Sequence, residues 1–253
     1  MRTVSIINLK GGVGKTISAI NIAHILSAVH KKNVLIIDND KQGNTSKFFR
    51  AYDRGKPSMY DVLTGRDVDL KSVVRRTEYE RLDILPANLS LMYADREVLM
   101  DTARAQQTRL KKALQTADGE YDFVVIDNAP DLSISVSNAI VAADDILIPI
   151  KIDKFAFDCL EMLLRQIEDL RSFNPAIRIA GGFVTMYQKN KVNIDGVKML
   201  RKRPPVPIME TAISKTVIVD QTTFNGKPLL LYAPKSTAAQ DYISLAGEYL
   251  KMV

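Results

Sequence analysis

Lys10-Gly11-Gly12-Val13-Gly14-Lys15-Thr16 decides how the rest of the chain is read. An apolar run, Val4-Ser5-Ile6-Ile7-Asn8-Leu9, precedes it, and the helix-like Ser18-Ala19-Ile20-Asn21-Ile22-Ala23 follows. Strand, glycine loop, then helix is the context in which backbone N–H groups wrap a phosphate at a helix N-terminus. The three glycines remove the Cβ atoms that would hold phosphate oxygens away from the backbone. Lys15 then reaches the β- and γ-phosphates, and the Thr16 hydroxyl serves Mg²⁺. A glycine turn that merely joins a strand to a helix is the competing reading, and the number of matched residue types in the right context disfavours it. One position is off-pattern: Leu9 stands where the ordinary phosphate loop has its first glycine, and an extra lysine, Lys10, guards the entrance.

That departure resembles the deviant Walker A motif of the ParA/MinD class of P-loop ATPases. The resemblance implies that Lys10 crosses to the nucleotide of a partner subunit in an ATP-sandwich dimer. It makes Lys10, Gly11, Gly12, Val13, Gly14, Lys15, Thr16 and Ile17 the expected phosphate-binding set. Many members carry a second threonine at the place of Ile17, where this chain offers only a backbone N–H to the α-phosphate.

Asn33-Val34-Leu35-Ile36-Ile37-Asp38 reads as a buried parallel strand ending in acid. Strand-terminal carboxylates lie at the edge where open α/β sheets bind ligands. The continuation Asp38-Asn39-Asp40-Lys41-Gln42-Gly43-Asn44 is similar to the family's Asp-x-Asp-Pro-Gln-Gly-Asn, with Lys41 in place of proline. By that resemblance Asp40 orients the attacking water and Asp38 belongs to the Mg²⁺ shell. Taken alone, the two acids also fit capping of the next helix. Tyr121-Asp122-Phe123-Val124-Val125-Ile126-Asp127 fits a Walker B strand whose aspartate, Asp127, holds Mg²⁺ directly or through water. The following Asn128-Ala129-Pro130-Asp131 departs at three positions from the family's switch loop. Thr185-Met186-Tyr187 resembles the family's strand edge near the adenine, which places Met186 at the base.

Around these signals the chain alternates. Further strands are expected at 82–87, 145–150 and 177–184, a short helix at 57–65, a long helical region over 89–116, and helices at 157–173 and 238–250. His24 and His30, the only histidines, are expected on the surface of the first helix. Alternation of this kind means an α/β fold, a doubly wound, mostly parallel sheet with helices on both faces. No Pro/Gly/Ser-rich linker divides the 253 residues, so one P-loop ATPase domain over 1–253 is expected, without an operator-binding helix-turn-helix extension. No apolar run approaches the ~18 residues of a membrane span, and no leader pattern opens the chain. One cysteine, Cys159, excludes an intramolecular disulfide and a self-contained cysteine metal site. A cytoplasmic, nucleoid-associated protein is the expectation.

The formal net charge is +6, and its location matters more than its size. Nine basic residues face three acids between Lys189 and Lys235, which places the whole excess in that stretch. If 193–202 is helical, Lys198, Arg201 and Lys202 share a face, and Arg203 extends the cluster before Pro204-Pro205 ends the helix. With Lys215 these form the candidate contact to a DNA backbone, bound without base reading. A solvated helix face is the plain alternative.

The resemblance covers residues 3 to about 250 and is to the ParA/Soj-type partition ATPases. It implies slow ATP hydrolysis with ATP and Mg²⁺, a homodimer with ATP, nonspecific binding to double-stranded DNA, and a ParB-like centromere-binding partner. An ATP-dependent binding regulator without DNA is an alternative, and the rivals from other classes are a MinD-like regulator at a membrane, a nitrogenase-reductase-like electron carrier and a binding-only regulator with a degenerate ATPase. A poor terminal lipid-binding helix, the lone Cys159 and the presence of Asp40 respectively argue against them.

Overall fold

The computed structural model describes residues 1–153, 156–202 and 204–253. In chain order it runs β1 (Arg2–Ile6), α1 (Lys15–Ala28), β2 (Val34–Asn39), α2 (Asn44–Phe48), α3 (Met59–Thr64) and α4 (Leu70–Val73). Next come β3 (Arg75–Arg76), β4 (Leu82–Leu85), α5 (Leu91–Met100), α6 (Arg109–Gln115), β5 (Phe123–Asn128) and α7 (Ile134–Ala142). The last part is β6 (Asp145–Lys151), α8 (Ala156–Leu170), β7 (Arg178–Tyr187), α9 (Lys191–Lys202), β8 (Ile208–Ser214), α10 (Val217–Asn225), α11 (Leu229–Tyr232) and α12 (Thr237–Leu250).

The strands form one eight-stranded sheet in the order β3-β4-β2-β5-β1-β6-β7-β8, parallel except for β3 against β4. Unbroken apolar runs suit strands covered on both faces. In β2, Val34 and Ile36 face the layer holding α1 and α12, while Leu35 and Ile37 face the layer holding α3, α5 and α6. This is the doubly wound α/β architecture expected from the alternation. The two-residue edge strand β3 is an addition that no sequence pattern marked.

Two local expectations are corrected. The region 89–116 is two helices, because Asp101 ends the first: its carboxylate accepts from the Ala103 backbone N–H and from the guanidiniums of Arg104 and Arg109. Those arginines in turn donate to the carbonyls of Leu63, Thr64 and Gly65, so the break is anchored to the end of α3. Such local side-chain bonding competes with helix continuation.

His24 is the second correction. It is buried in α1, which lies between the sheet and α12, and its ring meets Tyr79 edge-on with centroids 5.2 Å apart. Its Nδ1 has no hydrogen-bond partner among the described residues, and burial pushes its pKa down to about 4. Below the ordinary histidine value of about 6.5 the unfolded chain takes a proton that the folded chain refuses. Stability conferred by neutral His24 is therefore complete above about pH 6.5 and lost as pH falls towards 4, by about 3 kcal/mol. Urea unfolding of wild type and His24→Leu at pH 7 and pH 5 tests this. The variant should lose less stability on acidification, and equal losses would reject the assignment.

At the opposite edge of the sheet from the phosphate loop, fully buried Asp145 accepts from Arg2 at 2.6 Å, Arg178 at 2.7 Å and Tyr249 at 2.9 Å. Burial pushes its pKa up, but these three donors outweigh burial and hold the carboxyl below its ordinary value. The cluster ties β1, β6, β7 and α12 together, leaving the other edge to carry the loops.

Candidate active site

The loops after β1, β2, β5, β7 and β8 all open on the carboxyl edge of the sheet, beside the central strand β1. The first of them turns into α1 at Gly14, whose φ of 87° lies in the left-handed region. Gly12, two residues earlier, is also left-handed at φ 68°, and no described residue other than its chain neighbours comes within 4 Å of the space a Cβ at Gly12 would take. No acidic residue occupies the first turn of α1 and no side chain caps it. The helix therefore presents its N-terminal N–H groups and the positive end of its dipole uncompensated, which suits an anion.

Lys15 is the cation in this cradle. It is buried, and its Nζ donates to the Lys10 carbonyl at 3.0 Å. Burial lowers its pKa, and the charges of Asp127, Asp40 and Asp131 act the other way. At the loop entrance Lys10 forms an ion pair with Asp153, just beyond β6. Its backbone N–H donates to Asn8 Oδ1, and Asn8 Nδ2 donates to the Pro149 carbonyl.

Parallel pairing of β2 with β5 sets Asp38 directly opposite Asp127. Asp38 is fully buried; its Oδ2 accepts from the Ser46 backbone N–H at 2.7 Å and hydroxyl at 2.6 Å, and its Oδ1 accepts from Asp40 N. Asp127 Oδ2 accepts from the Thr45 hydroxyl at 2.7 Å, while its Oδ1 is buried without a partner among the described residues. Burial raises Asp38 to about 6, against the pull of Ser46 and Asp40 N–H. Burial and the neighbouring Asp38 charge raise Asp127 to about 7, against the Thr45 and Thr16 hydroxyls. Two desolvated carboxylates with one orphaned oxygen make a place for a cation. Among the described residues no group of three or more His, Cys, Asp or Glu could hold a metal alone. The Asp38–Asp127 pair fits magnesium, which takes one or two carboxylates and completes its shell with phosphate and water.

Asp40 is partly exposed in the turn after β2, where its carboxylate accepts from Gln42 N at 2.9 Å and its carbonyl from Gly43 N. Lys41, the residue standing for the family's proline, reaches Asp131 at 3.6 Å. Two departures from the family pattern thus meet across the loops after β2 and β5. Asn128, a third, donates to Ser5 and the Ile6 carbonyl and accepts from Asn39, joining β1, β5 and β2 through an amide.

A cavity of about 260 Å³ continues from Gly14 and Ile17 to Thr185, Met186, Gln188 and Lys215. Thr185 clips this wall to the loop by donating to the Val13 carbonyl at 2.8 Å, and Met186 adopts φ 53°. The cavity adjoins the phosphate cradle, and its mixed apolar and polar lining suits a base. The expected phosphate, metal and base residues therefore converge on one place. Thr45, Ser46 and Asp153 were not singled out by sequence; the first two are ordinary helix-start residues whose role shows only once α2 lies under the two acids.

The basic residues separate. Lys198 and Lys202 are exposed on α9. Arg201 is tied back to β8, donating to the Met209 and Glu210 carbonyls, with the Glu210 carboxylate 3.6 Å away. Lys215 lies on the loop after β8 and lines the cavity beside Met186 rather than the α9 face. Arg203 lies outside the described residues.

A family model described as an AAA domain matches residues 1–179. The chromosome partitioning protein ParA of Caulobacter vibrioides is 37% identical over 255 residues, spanning 99% of this chain and 94% of that protein. A cobyrinic acid a,c-diamide synthase from Mycobacterium smegmatis with bound ADP and magnesium superposes with a TM-score of 0.85 at 29% identity, covering 99% of this chain and 94% of the other. A plasmid partition protein from Borrelia burgdorferi bound to AMPPNP superposes with a TM-score of 0.82 at 25% identity, covering 99% and 97%.

Proposed function

This chain belongs to the ParA/Soj family of P-loop ATPases, and we propose that it is an ATP-driven switch for DNA partition. The observation that carries the proposal is the meeting of the unobstructed α1 N-terminus, buried Lys15 and the Asp38–Asp127 pair at one sheet edge. ATP is the substrate: the N–H groups of 11–17 hold its phosphates, Lys15 offsets charge on the β- and γ-phosphates, and the cavity beside Met186 takes the base. Magnesium, when bound through Thr16 and Asp127 with Asp38 behind them, draws further charge off the phosphates. Asp40 holds the attacking water, and its fixed turn keeps the carboxylate oriented.

Two copies close on two nucleotides, each Lys10 reaching its neighbour's phosphates. The closed pair doubles the basic surface carrying Lys198 and Lys202, which raises affinity for duplex DNA of any sequence. Hydrolysis removes the γ-phosphate that the crossing lysines grip, so the pair loosens and DNA is released. Turnover is slow in isolation, and a ParB-like centromere-binding protein accelerates it. The switch works in the cytoplasm on the nucleoid. Among the described residues no helix is long and apolar enough to cross a membrane; pelleting with liposomes would favour the MinD-like alternative.

Gel retardation of random-sequence duplex with ATP, ADP and no nucleotide tests the switch. Retardation is expected with ATP alone, and equal retardation in all three states would overturn it. Lys198→Glu with Lys202→Glu should weaken retention at least tenfold, because each lost phosphate contact also removes counterion release. ATP-driven dimerisation should persist in that variant. Unchanged retention would move the DNA contact off α9.

A further inference from the structure

Lys10 is the residue the proposed sandwich needs on the far side of its interface, yet within one chain it is paired with Asp153. One ammonium cannot serve both. The pair is partly shielded, with the two side chains 22% and 31% exposed, so exchanging it for a phosphate on another copy is a discrete step.

The segment that carries Asp153 also carries Ile152, and Ile152 faces α9. Gly196 is the point of contact: a Cβ there would collide with the Ile152 Cγ2 methyl, so the helix comes close only because it has no side chain at that position. Leu9, the residue occupying the place of the phosphate loop's first glycine, packs into the same apolar cluster as Ile152 and Val197 of α9. The loop entrance, the end of β6 and α9 therefore share one apolar cluster, and the two neighbours Ile152 and Asp153 touch α9 at Gly196 and the loop at Lys10 respectively.

We propose that Ile152-Asp153 couples the interface lysine to the basic helix: Asp153 retains Lys10 within its own chain while Ile152 seats α9. Transfer of Lys10 to a second copy then frees α9 to engage the DNA backbone. Asp153 is a positioning residue here, since it acts through Lys10. The inference rests on the sandwich reading and adds the device that makes DNA affinity follow dimerisation. Reciprocity requires that duplex DNA, by favouring the freed helix, lower the ATP concentration needed for dimerisation.

The test is light scattering of the full chain titrated with ATP and Mg²⁺, with and without a random-sequence duplex, the free duplex subtracted. Asp153→Asn should lower the ATP midpoint by about fivefold, the scale of a partly exposed ion pair, and Asp153→Glu should restore it. Ile152→Ala should keep the wild-type midpoint without DNA but lose most of the shift that duplex produces. An unchanged midpoint in Asp153→Asn, or a full DNA shift in Ile152→Ala, overturns the coupling. A wild-type chain that stays single at every ATP concentration would instead remove the sandwich reading beneath it, so the two failures are distinguishable.

Discussion

Asp40→Ala is expected to slow ATP hydrolysis by about 10²–10⁴-fold, the range of a positioned general base, while leaving ATP-bound dimers intact. Asp40 sits in a turn in which its carboxylate accepts from Gln42 N, its carbonyl accepts from Gly43 N, and its own backbone N–H donates to Asp38. Thr45 and Ser46, not the Asp40 side chain, hold the carboxylates of Asp127 and Asp38, so its removal should spare that pair. Substrate binding and dimerisation thus persist when hydrolysis stops, and DNA should remain bound. Phosphate release and gel retardation measure the two halves. A variant with normal turnover, or one that no longer dimerises with ATP, contradicts the role given to Asp40.

Lys10→Ala should weaken ATP-driven dimerisation by about 30-fold or more while sparing ATP binding to the single chain. Truncating one member of a desolvated interfacial charge pair costs about 2–5 kcal/mol. In a two-fold dimer the same substitution removes the contact twice. Lys15, the N–H groups of the loop and the base cavity all belong to the same chain and are untouched, so nucleotide affinity measured by fluorescence of a labelled ATP analogue should stay within a few-fold. Equal loss of nucleotide affinity and dimerisation would make Lys10 an ordinary phosphate ligand of its own subunit.

The sheet was legible because strands buried on both faces cannot hide: 34–37 and 123–126 are unbroken apolar runs, each ending in acid. The phosphate loop was legible because its glycines have no better use between a strand and a helix. Asp38 and Asp127 come together for the same reason, since parallel register fixes strand ends at one edge. The pairing of Lys10 with Asp153 was not legible, for it spans 143 residues and depends on how the loops after β1 and β6 meet. Lys41 and Asp131 each looked like a departure from pattern, and their contact appears only in space. The burial of His24 was not legible, because α12 returns from the far end of the chain to cover α1 and spacing within α1 does not reveal that partner. Arg201 shares helical spacing with Lys198 and Lys202, but neighbouring β8 carbonyls claim its guanidinium. Helical spacing identifies a face and says nothing about what lies beside it.

Multi-angle light scattering of the unmodified chain, with ATP and Mg²⁺, with ADP and Mg²⁺, and without nucleotide, tests the central claim most directly. The account predicts a mass near twice the 28.2 kDa chain with ATP, under conditions that suppress turnover, and a single-chain mass in the other two states. A single-chain mass in all three would contradict it.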